Sequence, residues 1–376
     1  MPDAGPSVLL AVEQLRRGVP GGIGNYARGL LAGLRRCAEE GDGVEVTLLA
    51  SRPPRGVPDP LTAYGRPVVV SALPGRVMTR AWDHSLLRAP EGFDVVHSIS
   101  LAAPMLRRAT HSRLAVTVHD LAWRRHPEAT TRRGRRWHEA ALGRARDCGA
   151  NLVVPSRLVA ADLVAFGVDE ARITVAPGGT DHLAPPDEDA TTALLRAGGV
   201  RGEYLLTVGT LEPRKNLDRL VQAFGRVRPQ LPERWPLVIV GPTGWGHAAR
   251  PHDAEGVVFT GAVPDAVLSA LYRRARAFAY VPLTEGYGLP PLEAMRMGTP
   301  SVVSSEVPSV YDLGDAGPPP ARIVDPLDVE AMAAGLVAVL TDDTLRADLA
   351  ARGASFASAR TWRAAAGAHV RLWGRT

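Results

Sequence analysis

Several residue types and segment types are scarce or missing in this sequence. Only two cysteines occur in 376 residues, Cys37 and Cys148, and neither lies in a Cys-x-x-Cys or Cys/His cluster, which argues against a disulfide framework or a zinc site. Aromatic residues make up 5% of the chain, which is low for a surface that stacks nucleic-acid bases. No apolar run approaches the ~20 residues of a spanning helix, and no signal-peptide pattern is present. These absences predict a cytoplasmic protein that does not bind nucleic acid.

Lysine is the scarcest charged residue. Of the 44 basic residues, Lys215 is the one lysine and the others are arginine. A formal net charge of +5 favours an anionic partner such as a phosphorylated small molecule or an acidic lipid surface. A lysine in a chain that otherwise uses arginine indicates a need for a compact ammonium on a flexible stem. Chance is the alternative explanation for this position.

The length and the hydrophobic pattern predict two α/β domains. A chain of 376 residues is long for a single core, and short apolar runs alternate with helical stretches in both halves, as in parallel sheets covered on both faces. We expect two Rossmann-like, doubly wound domains with the ligand site in the cleft between them. The expected strands are Val8–Val12, Val44–Leu49, Val68–Val70, Val95–His97, Leu114–Val118, Leu152–Val154, Ile173–Val175, Tyr204–Val208, Leu237–Val240, Val257–Phe259, Ala277–Val281, Ser301–Val303 and Ile323–Val324.

The expected domain boundaries follow the turn-forming residues. The first domain is expected over 1–184, a linker over 185–200, and the second domain over 201–358. The segment Gly178–Ala190, with its Gly-Gly, Pro-Pro and Asp-Glu-Asp, is the main reason for the linker. Residues 359–376 are expected to form a helix that can cross back onto the first domain.

Two features of the first half fit a ligand site. The first strand leads into the glycine-rich stretch Gly21–Tyr26 and then into an apolar-periodic helix. Glycines at such a turn let the backbone approach a ligand, and the helix N-terminus offers N–H groups to an anion, although tight turns use the same glycines. The strand Leu114–Val118 ends in His119, at the sheet edge where α/β proteins bind ligands. A structural histidine is the alternative for His119.

The second half repeats this arrangement with charged residues. The strand Tyr204–Val208 is followed by Gly209, Thr210 and then Arg214-Lys215-Asn216. Two adjacent cations on a strand-to-helix connection can neutralise a diphosphate leaving group. A solvated helix start would account for Arg214 but not for the only lysine.

A glycine- and proline-rich loop follows a later strand of the second half. It runs from Thr284 to Met295 and contains Gly286, Gly288, Pro290 and Pro291. The glycines expose backbone N–H groups, and the prolines suit the first turn of a helix whose positive end faces the loop. The loop therefore fits a phosphate. Its two carboxylates, Glu285 and Glu293, can accept hydrogen bonds from hydroxyls of a nucleotide sugar, although Glu293 also fits a capping or solvated position.

Four motifs together resemble those of glycosyltransferase family 4, whose fold is GT-B. They are Gly21–Tyr26, His119–Leu121, Glu212–Asn216, and Glu285–Pro290 with Glu293. The resemblance covers most of the chain. Gly241-Pro242 with Trp245-Gly246 is similar to the bacterial mannosyltransferase-like members.

The resemblance implies a role for each matching residue. Lys215 and Arg214 would hold the donor diphosphate, and Glu285 would contact hydroxyls of the transferred sugar. His119 would contact the sugar near the reacting carbon, and Glu293 the ribose. The donor-binding set implied by these motifs is Gly22, Ile23, Gly209, Thr210, Gly286, Tyr287, Gly288, Leu289 and Glu293.

The resemblance also implies the reaction. Such enzymes transfer a hexose, here with mannose as the first candidate, with retention from a nucleotide-diphosphate sugar to a hydroxyl of a glycan, a lipid-linked acceptor or a small molecule. They generally need no metal and no other cofactor. The one Asp-x-Asp, Asp187-Glu188-Asp189, falls in the expected linker, where it is interpreted as solvated charge.

Three positions depart from the family pattern, and two of them, Thr210 and Ser309, leave a catalytically silent protein open. Thr210 stands where many relatives have arginine, Ser309 replaces a usual glutamate, and Gly178 replaces a usual asparagine. A GT-B nucleotide-sugar epimerase or hydrolase, and a catalytically silent sugar-nucleotide-binding protein, are the alternatives. Lys215, Glu285 and His119 argue against a silent protein.

One segment is strongly basic. Arg124–Arg146 contains eight arginines, two glutamates and Trp137. Such a segment can form a surface that touches anionic lipid at the inner membrane face or an anionic acceptor. A solvated face in an arginine-rich protein explains the same pattern.

Overall fold

The chain folds into two compact units. The computed structural model describes residues 5–17, 21–53, 56–105, 112–244, 254–311 and 317–375, so Trp245 and Gly246 lie outside the described residues. One unit comprises Met1–His182 together with Thr361–Thr376, and the other comprises Leu183–Arg360.

The first unit is built on a seven-stranded sheet in which every pairing is parallel. Its strands are β1 (Ser7–Ala11), β2 (Glu45–Ala50), β3 (Val68–Val70), β4 (Val95–Ser98), β5 (Arg113–Thr117), β6 (Asn151–Val154) and β7 (Ile173–Val175), in the order β3-β2-β1-β4-β5-β6-β7. The central strands are rich in valine and leucine and are buried along their length, as expected for a sheet covered on both faces. Its helices include α1 (Gly21–Glu39), α2 (Gly75–Asp83), α3 (Ala122–Arg125), α4 (Arg132–Asp147) and α5 (Arg157–Ala165).

The second unit is built in the same way on a six-stranded parallel sheet. Its strands are β8 (Leu205–Val208), β9 (Leu237–Val240), β10 (Val257–Gly261), β11 (Ala277–Tyr280), β12 (Ser301–Ser304) and β13 (Arg322–Val324), in the order β10-β9-β8-β11-β12-β13. Its helices are α6 (Glu188–Ala197), α7 (Leu217–Val227), α8 (Asp265–Arg274), α9 (Leu289–Arg296), α10 (Val329–Thr341) and α11 (Asp343–Ser358).

Both sheets have the strand order of a doubly wound fold, so the expected fold class is confirmed. All thirteen expected strands are present, with small shifts at their ends. The direction in which successive strands are added to the sheet reverses between β1 and β4 in the first sheet and between β8 and β11 in the second. Loops that leave the carboxyl ends of strands at such a reversal form the ligand crevice of open α/β sheets. The glycine-rich stretch follows β1, Lys215 follows β8, and Glu285 follows β11.

The last helix, α12 (Trp362–Trp373), belongs to the first unit, where it packs against α1. Two glycines of α1 make this contact possible. A Cβ atom on Gly29 would lie 2.0 Å from the Trp362 ring, and one on Gly33 would lie 2.1 Å from the Trp362 carbonyl oxygen. Asp181 fixes the start of α12 because its carboxylate accepts from the Trp362 N–H at 2.7 Å.

The expected linker over 185–200 is wrong for most of its length, because residues 188–197 form α6 in the second unit. Asp187 is the N-cap residue, and its carboxylate accepts from the Ala190 N–H at 3.0 Å. Glu188 and Asp189 lie in the first turn, where negative charge favours a helix. The acidic triplet is therefore a helix start rather than solvated linker charge.

In the described part of the chain, no helix has both the length and the apolar character needed to cross a bilayer.

Candidate active site

Two loops at the reversal point of the second sheet are joined to each other. One follows β8 and contains Arg214, and the other follows β11 and contains Leu283 and Thr284. The Leu283 N–H donates to the Arg214 carbonyl oxygen at 2.9 Å, and the Arg214 guanidinium donates to the Thr284 carbonyl oxygen at 3.1 Å. The side chains that these two loops carry are therefore held close to one another.

Asn216 anchors the loop that presents Lys215. Its backbone has φ 58°, a left-handed conformation that asparagine tolerates better than most residues. This ends the short 3-10 turn Pro213–Lys215 and begins α7. The buried side-chain amide donates to the carbonyl oxygens of Val281 at 3.0 Å and Pro326 at 2.7 Å. Asn216 thus ties the Lys215 turn to the end of β11.

We expect Asn216→Ala to lower the free energy of unfolding by about 1–3 kcal/mol, because buried carbonyl oxygens lose their donor. Chemical denaturation of the variant measures this change. Gln230→Ala is the matched control, since the amide of Gln230 also donates to a carbonyl oxygen but at the surface, and it should change stability little. Equal stability of the two variants would show that Asn216 does not anchor the turn.

Glu285 collects three donors on one carboxylate oxygen. The Lys215 ammonium donates to Glu285 Oε1 at 2.5 Å and to the Tyr280 hydroxyl at 2.7 Å. The Tyr280 hydroxyl in turn donates to Glu285 Oε1 at 2.8 Å, and an Arg214 guanidinium nitrogen lies 2.9 Å from the same oxygen. The Lys215 and Glu285 side chains are only 13% and 11% exposed. We refer to Arg214, Lys215, Tyr280 and Glu285 as the Lys215 cluster.

The cluster holds Glu285 as a carboxylate. Burial alone would raise the pKa of Glu285, but the charges of Arg214 and Lys215 outweigh burial and lower that pKa from its ordinary 4.5 to about 2. Burial, followed by the charge of Glu285, raises the pKa of Tyr280 well above its ordinary value, so the phenol stays protonated and donates. Arg214 also pairs with Glu212 at 2.8 Å. The two cations expected to face a diphosphate are therefore balanced by two carboxylates.

The loop before α9 has the form of a phosphate cradle. Gly288 precedes the helix with φ 94°, and Pro290 and Pro291 lie in its first turn. A Cβ atom on Gly288 would lie 2.4 Å from a Val307 methyl group, so only glycine fits this position. The backbone thereby directs the N-terminus of α9, with its partial positive charge, toward the loop of Glu285.

Ser309, one of the three departures, supports this loop. Its backbone N–H donates to the Tyr287 carbonyl oxygen at 2.9 Å, and its hydroxyl donates to the Gly288 carbonyl oxygen at 2.7 Å. The side chain is fully buried. Serine at this position therefore braces the turn that Gly288 makes.

Glu293 is neither a helix cap nor a solvated surface residue. It lies inside α9 with 4% of its surface exposed, and its carboxylate accepts from the Tyr272 hydroxyl at 2.9 Å. Burial, with the charge of Glu293 next, raises the pKa of Tyr272 well above its ordinary value, so this tyrosine also donates. The capping and solvated-surface alternatives for Glu293 were wrong, because its hydrogen-bond donor Tyr272 lies on another helix, α8.

The first unit places its candidate residues at the carboxyl edge of its sheet. Helix α1 begins in the glycine-rich stretch after β1, and a Cβ atom on Gly22 would meet nothing within 4 Å. Ile23 is half-buried in the same turn. His119 follows β5 directly, and its Nε2–H donates to the Ile99 carbonyl oxygen at 2.8 Å. Because burial lowers the pKa of His119, the ring is neutral near pH 7 and Nδ1 keeps its lone pair.

Two family models match the chain in succession. The model described as glycosyltransferase family 4 matches residues 20–182, and the one described as glycosyl transferases group 1 matches residues 202–342. The O-antigen chain mannosyltransferase B of Escherichia coli is 31% identical over 260 residues, which cover 66% of this chain and 67% of that protein. The chain belongs to glycosyltransferase family 4. The family resemblance of the sequence motifs is thereby confirmed, and the epimerase, hydrolase and silent alternatives are not favoured.

Further relatives extend the family 4 match to nearly the whole chain. The phosphatidyl-myo-inositol mannosyltransferase of Mycolicibacterium smegmatis is 28% identical over 366 residues, covering 92% of this chain and 87% of that protein. The crystal structure of Anabaena HepE in complex with UDP and glucose covers 98% of this chain and 99% of its own, with a TM-score of 0.70 and 16% identity. The structural likeness supports the GT-B fold.

The family 4 motifs missed three residues of the candidate site. Tyr280 is the last residue of β11, and the expected strand Ala277–Val281 gives it no role, although a tyrosine at the end of a strand before a motif loop is a usable signal. The motif that contains Asn216 assigns this residue no role. Ser309 stands out in the sequence only as a departure from the family pattern. Each acts through a contact with a residue distant in sequence, which the local pattern does not contain: Tyr280 with Lys215, Asn216 with Val281 and Ser309 with Gly288.

Proposed function

We propose that the protein is a retaining, metal-independent hexosyltransferase that uses a nucleotide-diphosphate sugar. The Lys215 cluster carries this proposal. It combines two cations with a carboxylate of low pKa at the reversal point of one sheet, and the loop that carries Glu285 leads into the N-terminus of α9. That combination suits a diphosphate with a hydroxyl-bearing sugar attached.

In the proposed complex, the donor diphosphate exchanges partners with Glu285. Lys215 and Arg214 turn from the carboxylate toward the phosphate oxygens, where they stabilise the charge that develops as the leaving group departs. Glu285 then accepts hydrogen bonds from sugar hydroxyls in their place. The backbone N–H groups around Gly22 and at the α9 N-terminus contribute further donors, and Glu293 is assigned to the ribose.

Retention is proposed to follow from attack on the same face as the leaving group. The bond from the anomeric carbon to the phosphate oxygen breaks while the bond to the acceptor oxygen forms, and the acceptor proton passes to the departing phosphate. No protein carboxylate nucleophile takes part in this proposal, because Glu285 is assigned to the hydroxyls of the sugar. His119 is assigned to the sugar near the reacting carbon, where its Nδ1 can accept from a hydroxyl.

The names of the relatives suggest which donor to test first. Those with the most extensive matches include enzymes named for mannosyl transfer, one of them GDP-mannose-dependent. We therefore propose GDP-mannose as the first donor, and UDP-glucose as the second because HepE was crystallised with it. The acceptor is proposed to be a hydroxyl of a glycan, a lipid-linked sugar or a small molecule.

Release of nucleoside diphosphate from a panel of such donors, with and without acceptors, tests this function. Transfer to an acceptor, with the product anomer assigned by NMR as that of the donor, supports the proposal. An inverted anomer contradicts retention. Equal release without any acceptor supports a hydrolase instead.

We expect turnover to survive a chelator. Among the described residues, no group of three or more His, Cys, Asp or Glu side chains is arranged to hold a metal ion. Metal independence nevertheless rests on the proposed role of Arg214, Lys215 and the α9 N-terminus in meeting the phosphate charge. Turnover should be equal with EDTA and with added Mg²⁺ or Mn²⁺, whereas loss with EDTA and recovery with metal contradicts it.

The basic segment Arg124–Arg146 is proposed to contact anionic lipid or an anionic acceptor through half of its arginines. Arg124, Arg125, Arg144 and Arg146 pair with carboxylates. The exposed arginines of the first turns of α4 have no carboxylate partner among the described residues; these are Arg132, Arg133, Arg135 and Arg136. Trp137, by contrast, packs partly on the core.

The position of these four arginines supports a binding role. Cations at a helix N-terminus oppose the helix dipole, and the first turn of α4 has no acidic residue to offset them. Helix stability alone does not account for this placement. A ligand that supplies negative charge does.

We expect Arg135→Gln/Arg136→Gln to weaken co-sedimentation with anionic vesicles by roughly tenfold or more. Binding to neutral vesicles should stay unchanged. The control Arg201→Gln/Arg322→Gln removes the same charge from exposed positions of the second unit and should bind as wild type. Wild-type protein that sediments equally with anionic and neutral lipid contradicts membrane contact.

A further inference from the structure

A chain of buried side chains leaves α12 and returns to it. The Trp373 indole N–H donates to His97 Nδ1 at 3.0 Å, and His97 Nε2 donates to the Thr117 hydroxyl at 2.9 Å. Burial raises the pKa of Tyr26, and the neighbouring Thr117 hydroxyl lowers it. Tyr26 in turn lies 2.8 Å from His369 Nε2. All five side chains are buried.

Each donor in this chain is fixed by its neighbour. His369 Nδ1 lies 2.8 Å from the Ala365 carbonyl oxygen, so it must carry the proton, and Nε2 must accept from the Tyr26 hydroxyl. Burial lowers the pKa of His369 to about 4 and that of His97 well below its ordinary value, so both rings are neutral. The hydrogen bonds therefore run from Trp373 through His97 to Thr117, and from Tyr26 through His369 to the Ala365 carbonyl oxygen.

Tyr26 connects this chain to the candidate site. Its ring lies edge-to-face with the His119 ring, with centroids 4.8 Å apart and planes at 83°. It also lies in α1, four positions after Gly22. Thr117, whose hydroxyl is next to the Tyr26 side chain, lies at the end of β5, two positions before His119 in the sequence. The orientation of Tyr26 thus affects both candidate elements of the first unit.

We propose that His369 is a positioning residue, which fixes the His119 ring through its hydrogen bond with Tyr26. The proposal rests on the proposed role of His119 toward the transferred sugar. Packing of α12 on α1 is already provided by Gly29 and Gly33. Apolar side chains could fill the remaining space with no loss of stability. The buried polar chain adds a fixed orientation for the Tyr26 ring, and thereby for the ring of His119.

The test compares Tyr26→Phe and His369→Phe in two backgrounds. In the wild-type background, each should lower kcat by about tenfold or more with little change in donor KM, because a displaced catalytic group loses rate. In a His119→Ala background, neither should lower kcat further. His369→Gln, which can still accept from Tyr26, should recover part of the rate. Equal losses in both backgrounds overturn the proposal.

Two further measurements separate the possible failures. Arg363→Ala, which removes exposed ion pairs of α12 with Glu40 and Asp42, should lower Tm without changing kcat. The His119 imidazole resonance, followed by NMR, should shift in His369→Phe and stay unchanged in Arg363→Ala. An unmoved resonance overturns the positioning role. A shifted resonance with normal kcat in His119→Ala shows instead that the assigned role of His119 is wrong.

Discussion

Lys215→Ala is expected to lower kcat by about 10²–10³, the loss typical of removing one preorganised electrostatic contact. Glu285 and Tyr280 hold the ammonium before the donor arrives, so it has only to turn from the carboxylate to the phosphate oxygens. Its charge matters most when negative charge develops on the departing diphosphate. Affinity for the intact donor should therefore fall much less than kcat.

The controls separate charge from shape. Lys215→Arg should recover only part of the rate, since a planar guanidinium does not replace a compact ammonium between Tyr280 and Glu285. Arg226→Ala removes a cation of α7 that forms an exposed ion pair with Glu330 of α10, and its kcat should equal that of wild type. Near-normal turnover in Lys215→Ala would remove the main support for the site.

Glu285→Gln is expected to lower kcat by a comparable factor, about 10². The amide keeps the size of the side chain. However, it cannot neutralise the charges of Arg214 and Lys215, and it accepts hydrogen bonds from hydroxyls less strongly than a carboxylate does. Because the pKa of Glu285 is about 2, the wild-type group is ionised throughout the neutral range. The loss should therefore be the same at every pH between about 6 and 8.

Glu330→Gln is the matched control for Glu285→Gln. Its carboxylate also pairs with an arginine but is 76% exposed, so its loss should leave kcat and its pH profile unchanged. A Glu285→Gln enzyme with normal kcat would show that the carboxylate does not touch the transferred sugar.

The sequence was sufficient to predict the fold because the fold depends on local patterns. Each of the thirteen strands is a short apolar run, and each motif lies after the end of one of them. Lys215 could be singled out by its rarity and Glu285 by the glycines around it. Their direct ion pair could not be predicted, because 70 positions separate the two residues.

The errors have a common physical cause. Asp187 was assigned to a linker because acidic and proline-rich residues are typical of loops, but an aspartate followed by further acids also begins a helix. Glu293 was assigned a capping or solvated alternative because its partner, Tyr272, lies on another helix. In both cases the deciding contact depends on packing rather than on neighbours in sequence.

Calorimetric titration of nucleoside diphosphate, without metal, tests the central claim that the Lys215 cluster binds the donor diphosphate. Lys215→Ala should weaken binding, because a phosphate ligand is lost. Glu285→Gln should tighten binding by about tenfold. In the wild type, Lys215 and Arg214 give up hydrogen bonds to a carboxylate when the diphosphate binds, and a hydrogen bond to a charged group is worth about 1.5–3 kcal/mol. Opposite shifts in the two variants are the predicted result. Unchanged affinity in both, or weakening by both alike, would contradict the account.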